Sequence, residues 1–171
     1  MSTAKTTTKL ARAIHLDESD MNVFFSPART GEWAISGGFE FSNWGDADLT
    51  GKARQAFANG WLGIETFGRV TFVAVTQVEH SELHGLAKGL AEHFVQIYGA
   101  PSVEAAMGVA QEEIAHMIDL CADHEPNTLL TVERELTEAG VRERFRSIKP
   151  DAAQLDQVAV HAVPEDEVPK L

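Results

Sequence analysis

The clearest periodicity lies mid-chain, where Leu83, Leu86, Ala87, Leu90, Ala91, Phe94 and Ile97 recur at the three- and four-residue spacing of one helical face. That spacing predicts a helix over residues 81–98. Gly99 and Pro101 stop it, and Ser102 can cap a successor. Val103, Ala106, Met107, Ala110, Ile114, Met117, Ile118 and Cys121 then form a second apolar stripe over residues 102–122, before Pro126. So short a connection makes the two helices antiparallel neighbours. Gly85 and Gly89, four apart on the first helix, predict a face where another backbone approaches closely.

Upstream the pattern is shorter and extended. Residues 10–16 read as a strand running into a turn at 17–20, and residues 23–26 and 32–35 as a hairpin around Pro27 to Gly31. Gly37 and Gly38 break the chain before a third short strand at residues 39–41. Asp46, Asp48 and Thr50 can cap a first helix, which Ala53, Ala56 and Phe57 carry up to Gly60. Residues 61–65 and 69–78 are strand-like around a turn at 66–68. The near-continuous apolar run Val70, Phe72, Val73, Ala74, Val75 predicts a strand covered on both faces at the sheet centre. Downstream, residues 128–133 read as a strand, 138–148 as a short charged helix and 157–163 as a last strand. The sum is an α+β fold: an antiparallel or mixed sheet of about five to seven strands, backed by a long antiparallel helix pair and one or two short helices. Residues 1–9 form a flexible polar arm, 10–163 a single domain and 164–171 a flexible acidic tail.

Charge narrows the partners. With 26 Asp and Glu against 14 Lys and Arg, the formal charge is −12, a field that repels phosphates and argues against nucleic acid. The basic cluster Arg142, Arg144, Arg146 and Lys149 is interleaved with Glu138 and Glu143 and reads as a solvated face of mixed charge. No run of about 18 apolar residues is present, so no membrane span is expected. A single cysteine, Cys121, rules out an internal disulfide and a cysteine-based zinc cluster. Residues 1–9 lack the apolar run of a secretory signal, which makes the cytoplasm the expected location. An acidic surface of this kind suits a basic protein partner or self-association.

Candidate chemistry is sparse. The chain has no GxGxxG, Walker or GxSxG pattern, and Cys121 falls at core spacing with Ile114 and Ile118. The sequence HSELH at residues 80–84 differs from HExxH because Ser81, not a glutamate, follows His80. Ser81 as N-cap would leave His80 outside the helix. Glu112, His116, Asp119 and Asp123 share one helical face and are the candidate ligands for a divalent metal. One helix supplies ligands from one side only, so a closed site needs His80, His84 or His161 to converge on it. Glu113 and His116 match half of the paired ExxH pattern of carboxylate di-iron bundles. The balance favours a solvated acidic face and no resident cofactor. Trp44, in the loop at residues 42–46, has the least reason among the tryptophans to be buried and is the candidate pocket or partner contact. The residues point to no catalytic group.

The stretches GEWAISGGFEF (residues 31–41) and GKARQAFANGWLGIETFGRVTFVAV (residues 51–75) resemble an uncharacterised bacterial family of unknown function, over most of the chain. The resemblance brings no catalytic residues. It implies an accessory part in the assembly or regulation of formate dehydrogenase and other molybdenum enzymes. The expected function is therefore that of a noncatalytic accessory or binding protein of the cytoplasm, assisting assembly of a metalloenzyme. The alternative is a small metal-dependent enzyme built on Glu112, His116 and Asp119.

Overall fold

A computed structural model describes residues 8–16 and 19–148 of the chain. Among these residues seven strands make one antiparallel sheet: β1 (Lys9–Ile14), β2 (Trp33–Ile35), β3 (Trp61–Gly63), β4 (Arg69–Val70), β5 (Phe72–Gln77), β6 (Leu129–Thr137) and β7 (Gly140–Ile148). Their order is β4-β3-β2-β1-β5-β6-β7. Two short helices, α1 (Ser19–Val23) and α2 (Gly51–Asn59), and two long ones, α3 (His80–Tyr98) and α4 (Val103–Ala122), complete the α+β fold. No helix of the described residues is long and apolar enough to cross a membrane. The strand expected at residues 157–163, the tail at 164–171, His161 and Lys149 lie outside the described residues, as do residues 1–7 of the arm.

The centre of the sheet is β1. It pairs with β5 over six residues, from Lys9 opposite Gln77 to Ile14 opposite Phe72, so Lys9 belongs to the sheet and not to the arm. Consecutive residues Leu10 and Ala11 are both fully buried, which requires cover on both faces. The apolar run at residues 70–75 was the expected central strand. It instead splits into the edge strand β4 and β5, whose Val73 and Val75 are buried while Phe72 and Ala74 are only half-buried. The hairpin partner of β2 is β1, not residues 23–26. Val23 closes α1 and residues 24–26 bend away from it, the chain touching the sheet where Pro27 bridges Arg69.

The long helices follow their stripes. Ala87, Leu90, Ala91 and Phe94 of α3, and Ala106, Ala110, Ile114, Met117 and Cys121 of α4, are buried. α4 also runs along β1 and β2. Gly99 ends α3 at φ 73°, and the Ser102 hydroxyl caps α4 by accepting from the Ala105 N–H at 3.0 Å. The cap of α3 is Glu79, with Glu82 reaching back to it, so Ser81 is not the cap and His80 lies inside the helix.

Gly85 and Gly89 correct another expectation, because a Cβ at either position meets nothing within 4 Å. With no neighbouring backbone to accommodate, each glycine only weakens the helix. Gly85→Ala and Gly89→Ala should therefore each stabilise the protein by about 0.5–1 kcal/mol, seen as additive rises in the urea midpoint. A loss of stability would reveal an unseen close contact.

Residues 140–148 form the strand β7, after a turn at 138–139, where a charged helix was expected over 138–148. Val141, Glu143 and Phe145 are half-buried while Arg142, Arg144 and Arg146 are exposed, a period of two. The arginines on β7 face the carboxylates of β6, with Arg142 opposite Glu135 and Arg144 opposite Glu133. Cross-strand pairing thus makes the mixed charge that resembled a helix surface. Residues 39–41 are likewise not a strand. Gly37, at φ 73°, turns the chain into a 3-10 helix, Gly38–Phe41. Phe39 then packs on Phe94 of α3 and Phe41 on Phe57 of α2.

The sheet curls until strands far apart in its order touch. Trp61 of β3 stacks on Phe145 of β7 with ring centroids 5.6 Å apart. Asn59, at the end of α2, donates to the Val132 carbonyl of β6 at 3.2 Å. This seam is where the polar chemistry of the protein collects.

Candidate functional site

Two buried arginines hold the seam together. Arg134, on β6, follows Leu130 and Val132 at the two-residue spacing of one strand face and is 6% exposed. Its Nη1 donates to the carbonyls of Phe57 at 3.0 Å and Gly60 at 2.8 Å, its Nη2 to that of Ser36 at 2.5 Å, and its Nε to the Glu143 carboxylate at 2.7 Å. The Ser36 hydroxyl donates to the same carboxylate. Arg69, on β4, donates to Gly60 at 3.0 Å and Gly37 at 3.1 Å and pairs with Glu40 at 2.5 Å. Both guanidinium carbons lie near the Phe41 ring, 4.6 and 5.2 Å from its centroid. Burial pulls the guanidinium of Arg69 down to about 10 and lowers that of Arg134, with Glu40 and Glu143 opposing the change. Glycine is needed at position 37, where the backbone is left-handed and a Cβ would strike Leu62.

Glu40 links this seam to a cavity. Besides Arg69, its carboxylate accepts from the Tyr98 hydroxyl at 2.7 Å and meets His93 Nε2 at 3.2 Å. Burial would raise the Glu40 carboxyl, but Arg69 and the bonds from Tyr98 and His93 outweigh it and hold it below the usual range. Burial and Glu40 together push the Tyr98 hydroxyl well above its ordinary value. The cavity itself has a volume of about 490 Å³. Phe24, Phe25, Phe41, Trp44, Phe67 and Tyr98 line it, with Glu40 and Arg69 on its floor and Ala53 and Ala56 of α2 leaving room.

Two of the walls carry further signals. Phe25 is 76% exposed at the cavity, with Lys52 over its ring. Phe67 holds φ at 59°, an uncommon backbone for a bulky residue. Its ring lies flat on His93, 3.8 Å between centroids and 4° from parallel. The turn that carries Phe67 is tied down by Glu32, which accepts from the N–H groups of Glu65 and Thr66, each at 2.9 Å.

Trp44 is half-buried, stacks on Phe57 and meets Phe41 edge-on, and so lies among the cavity walls. Glu112, His116, Asp119 and Asp123 are exposed along α4, as are His80 and His84 on α3. The structure does not gather them: among the described residues no three His, Cys, Asp or Glu side chains stand where they could hold a metal ion. Glu113 is half-buried, and burial raises its carboxyl. Cys121 is buried, and burial pushes its thiol up to about 12, which leaves it unreactive.

Arg69, Arg134, Glu40 and Tyr98 were not candidates in the sequence. A signal existed for Arg134, because period two from Leu130 through Val132 places a charge on the core face. Glu40 carried none, since its place on the cavity floor depends on the 3-10 turn.

A protein-family model described as "Family of unknown function (DUF6505)" matches residues 8–166. No curated protein matches the chain, and neither does any solved structure.

Proposed function

We propose that this chain, which belongs to the DUF6505 family of unknown function, is a noncatalytic binding protein of the cytoplasm that receives its ligand or partner in the aromatic cavity. The observation that carries this reading is the chemistry of the floor. Glu40, Arg69 and Tyr98 satisfy one another, and the titrations of Glu40 and Tyr98 move away from neutrality. A general acid or base works best with a pKa near the operating pH, whereas a depressed carboxyl and a raised phenol make a fixed floor. What remains is a pocket of ordinary ligand size with aromatic walls. An accessory role in metalloenzyme assembly, with a protein partner or a second copy of the chain, is one use of such binding.

Native mass spectrometry of the full chain tests the proposal. The parent should carry a bound mass that Ala53→Phe, which fills the cavity, does not retain at an unchanged melting temperature. Equal loading of parent and variant would place binding elsewhere. A stoichiometric metal that His116→Ala loses, together with a turnover, would replace this reading with the metal-enzyme alternative.

A further inference from the structure

Resting on the binding reading above, we propose that the occupant of the cavity is an uncharged, planar ring system of a free small molecule. The floor offers no free charge. The Glu40 carboxylate faces Arg69 at 2.5 Å and also accepts a hydrogen bond from the Tyr98 hydroxyl, while the Arg69 terminal nitrogens are spent on backbone carbonyls and that same carboxylate. An anionic ligand would meet an arginine whose charge Glu40 already balances. A cation would meet a carboxylate already paired, and two of the rings that could hold it by their faces, Phe41 and Phe25, already carry Arg69 and Lys52. An apolar ring meets neither obstacle.

Shape agrees with charge. A cavity of about 490 Å³ is roughly three times the ~150 Å³ void that accepts benzene, which is room for two fused rings with small substituents. Its walls are flat and presented from four parts of the chain: Phe24 and Phe25 after α1, Trp44 in the loop before α2, Phe67 in the β3–β4 turn and Tyr98 at the end of α3. Offset stacking and edge-to-face contacts on such walls select planarity. Phe67 keeps its left-handed backbone, a strain of the kind that structures retain around ligands. An exposed phenyl group at Phe25 is what a ring entering the cavity would cover.

The test is an amide-shift titration of the full chain with indole, benzamidine, benzoate and a blocked Gly-Trp-Gly tripeptide, read at Ser26, Trp44, Phe67 and Tyr98. Indole should shift these amides saturably, about tenfold more tightly than either charged probe or the tripeptide, and Ala53→Phe should abolish the shifts. Tighter binding of benzamidine or benzoate at the same amides would overturn the uncharged class while leaving the binding reading intact. Tighter binding of the tripeptide would replace the small molecule by a partner's side chain. If no probe moves these amides, the proposal fails, and the mass measurement above decides separately whether the cavity binds anything else.

Discussion

Replacing Arg134 by methionine should cost about 3–5 kcal/mol of stability, the range found when one member of a buried ion pair is removed. The side chain is wholly buried, and its loss leaves the Glu143 carboxylate without its cation and takes a donor from the carbonyls of Ser36, Phe57 and Gly60, of which Arg69 still reaches Gly60. Those groups belong to β7, to the end of β2 and to α2, so the penalty falls on the closure of the sheet and not on one strand. Arg134→Lys should recover little, because a single ammonium cannot reach a carboxylate and three carbonyls at once. Arg134→Met combined with Glu143→Leu should recover more than the lysine, since no charge is then left unpaired. Urea unfolding of the three variants checks the order. If Arg134→Lys is as stable as the parent, the planar fork is not what holds the seam.

The parts of this fold legible in the sequence are those in which a local pattern carries the whole instruction. The α3–α4 pair is one: each stripe repeats at helical spacing, and Gly99 and Ser102 mark the break between them within four residues. β7 is the counterexample. Its alternation of Val141, Glu143 and Phe145 with three arginines is a period-two signal, but Glu and Arg in alternation equally describe a solvated helix. Only the nine-residue register with β6 decides between them. The cavity and seam were harder still. Ser36, Glu40, Arg69, Arg134 and Glu143 span 107 positions between Ser36 and Glu143, and they meet because the sheet curls. Curl is a property of seven strands together and is written in no single segment. Trp44 was singled out in the sequence because an aromatic ring in a polar loop needs a surface to lie on, and it lies against Phe41 and Phe57.

The Glu32 carboxylate should be the other residue whose loss is felt across the molecule. Buried at 4% exposure, it accepts from the backbone N–H groups of Arg29, Glu65 and Thr66 and from the Thr66 hydroxyl, at distances from 2.6 to 2.9 Å. It thus ties the turn before β2 to the turn that presents Phe67. A Cβ at Gly63 would strike it, so the sheet leaves space for this carboxylate. Glu32→Ala strands three backbone donors and should cost roughly 3–5 kcal/mol, given about 1–3 kcal/mol for each buried group left unpaired and partial relaxation of an exposed turn. Glu32→Gln keeps the shape but turns an amide donor toward one of those N–H groups, and should cost less. The pH dependence separates charge from shape. Burial works to raise this carboxyl, but the Thr66 hydroxyl and the three N–H groups win and hold it below 4.5. Between its folded and unfolded values the unfolded chain therefore binds more protons, and stability rises with pH. The contribution is complete above the ordinary glutamate range and is lost as pH falls below about 4.5. Urea midpoints of the parent should drop through that window, and Glu32→Gln should flatten the drop while lowering stability at pH 7. An acid limb as steep in Glu32→Gln as in the parent would assign the sensitivity to Glu40, whose carboxyl is depressed by Arg69.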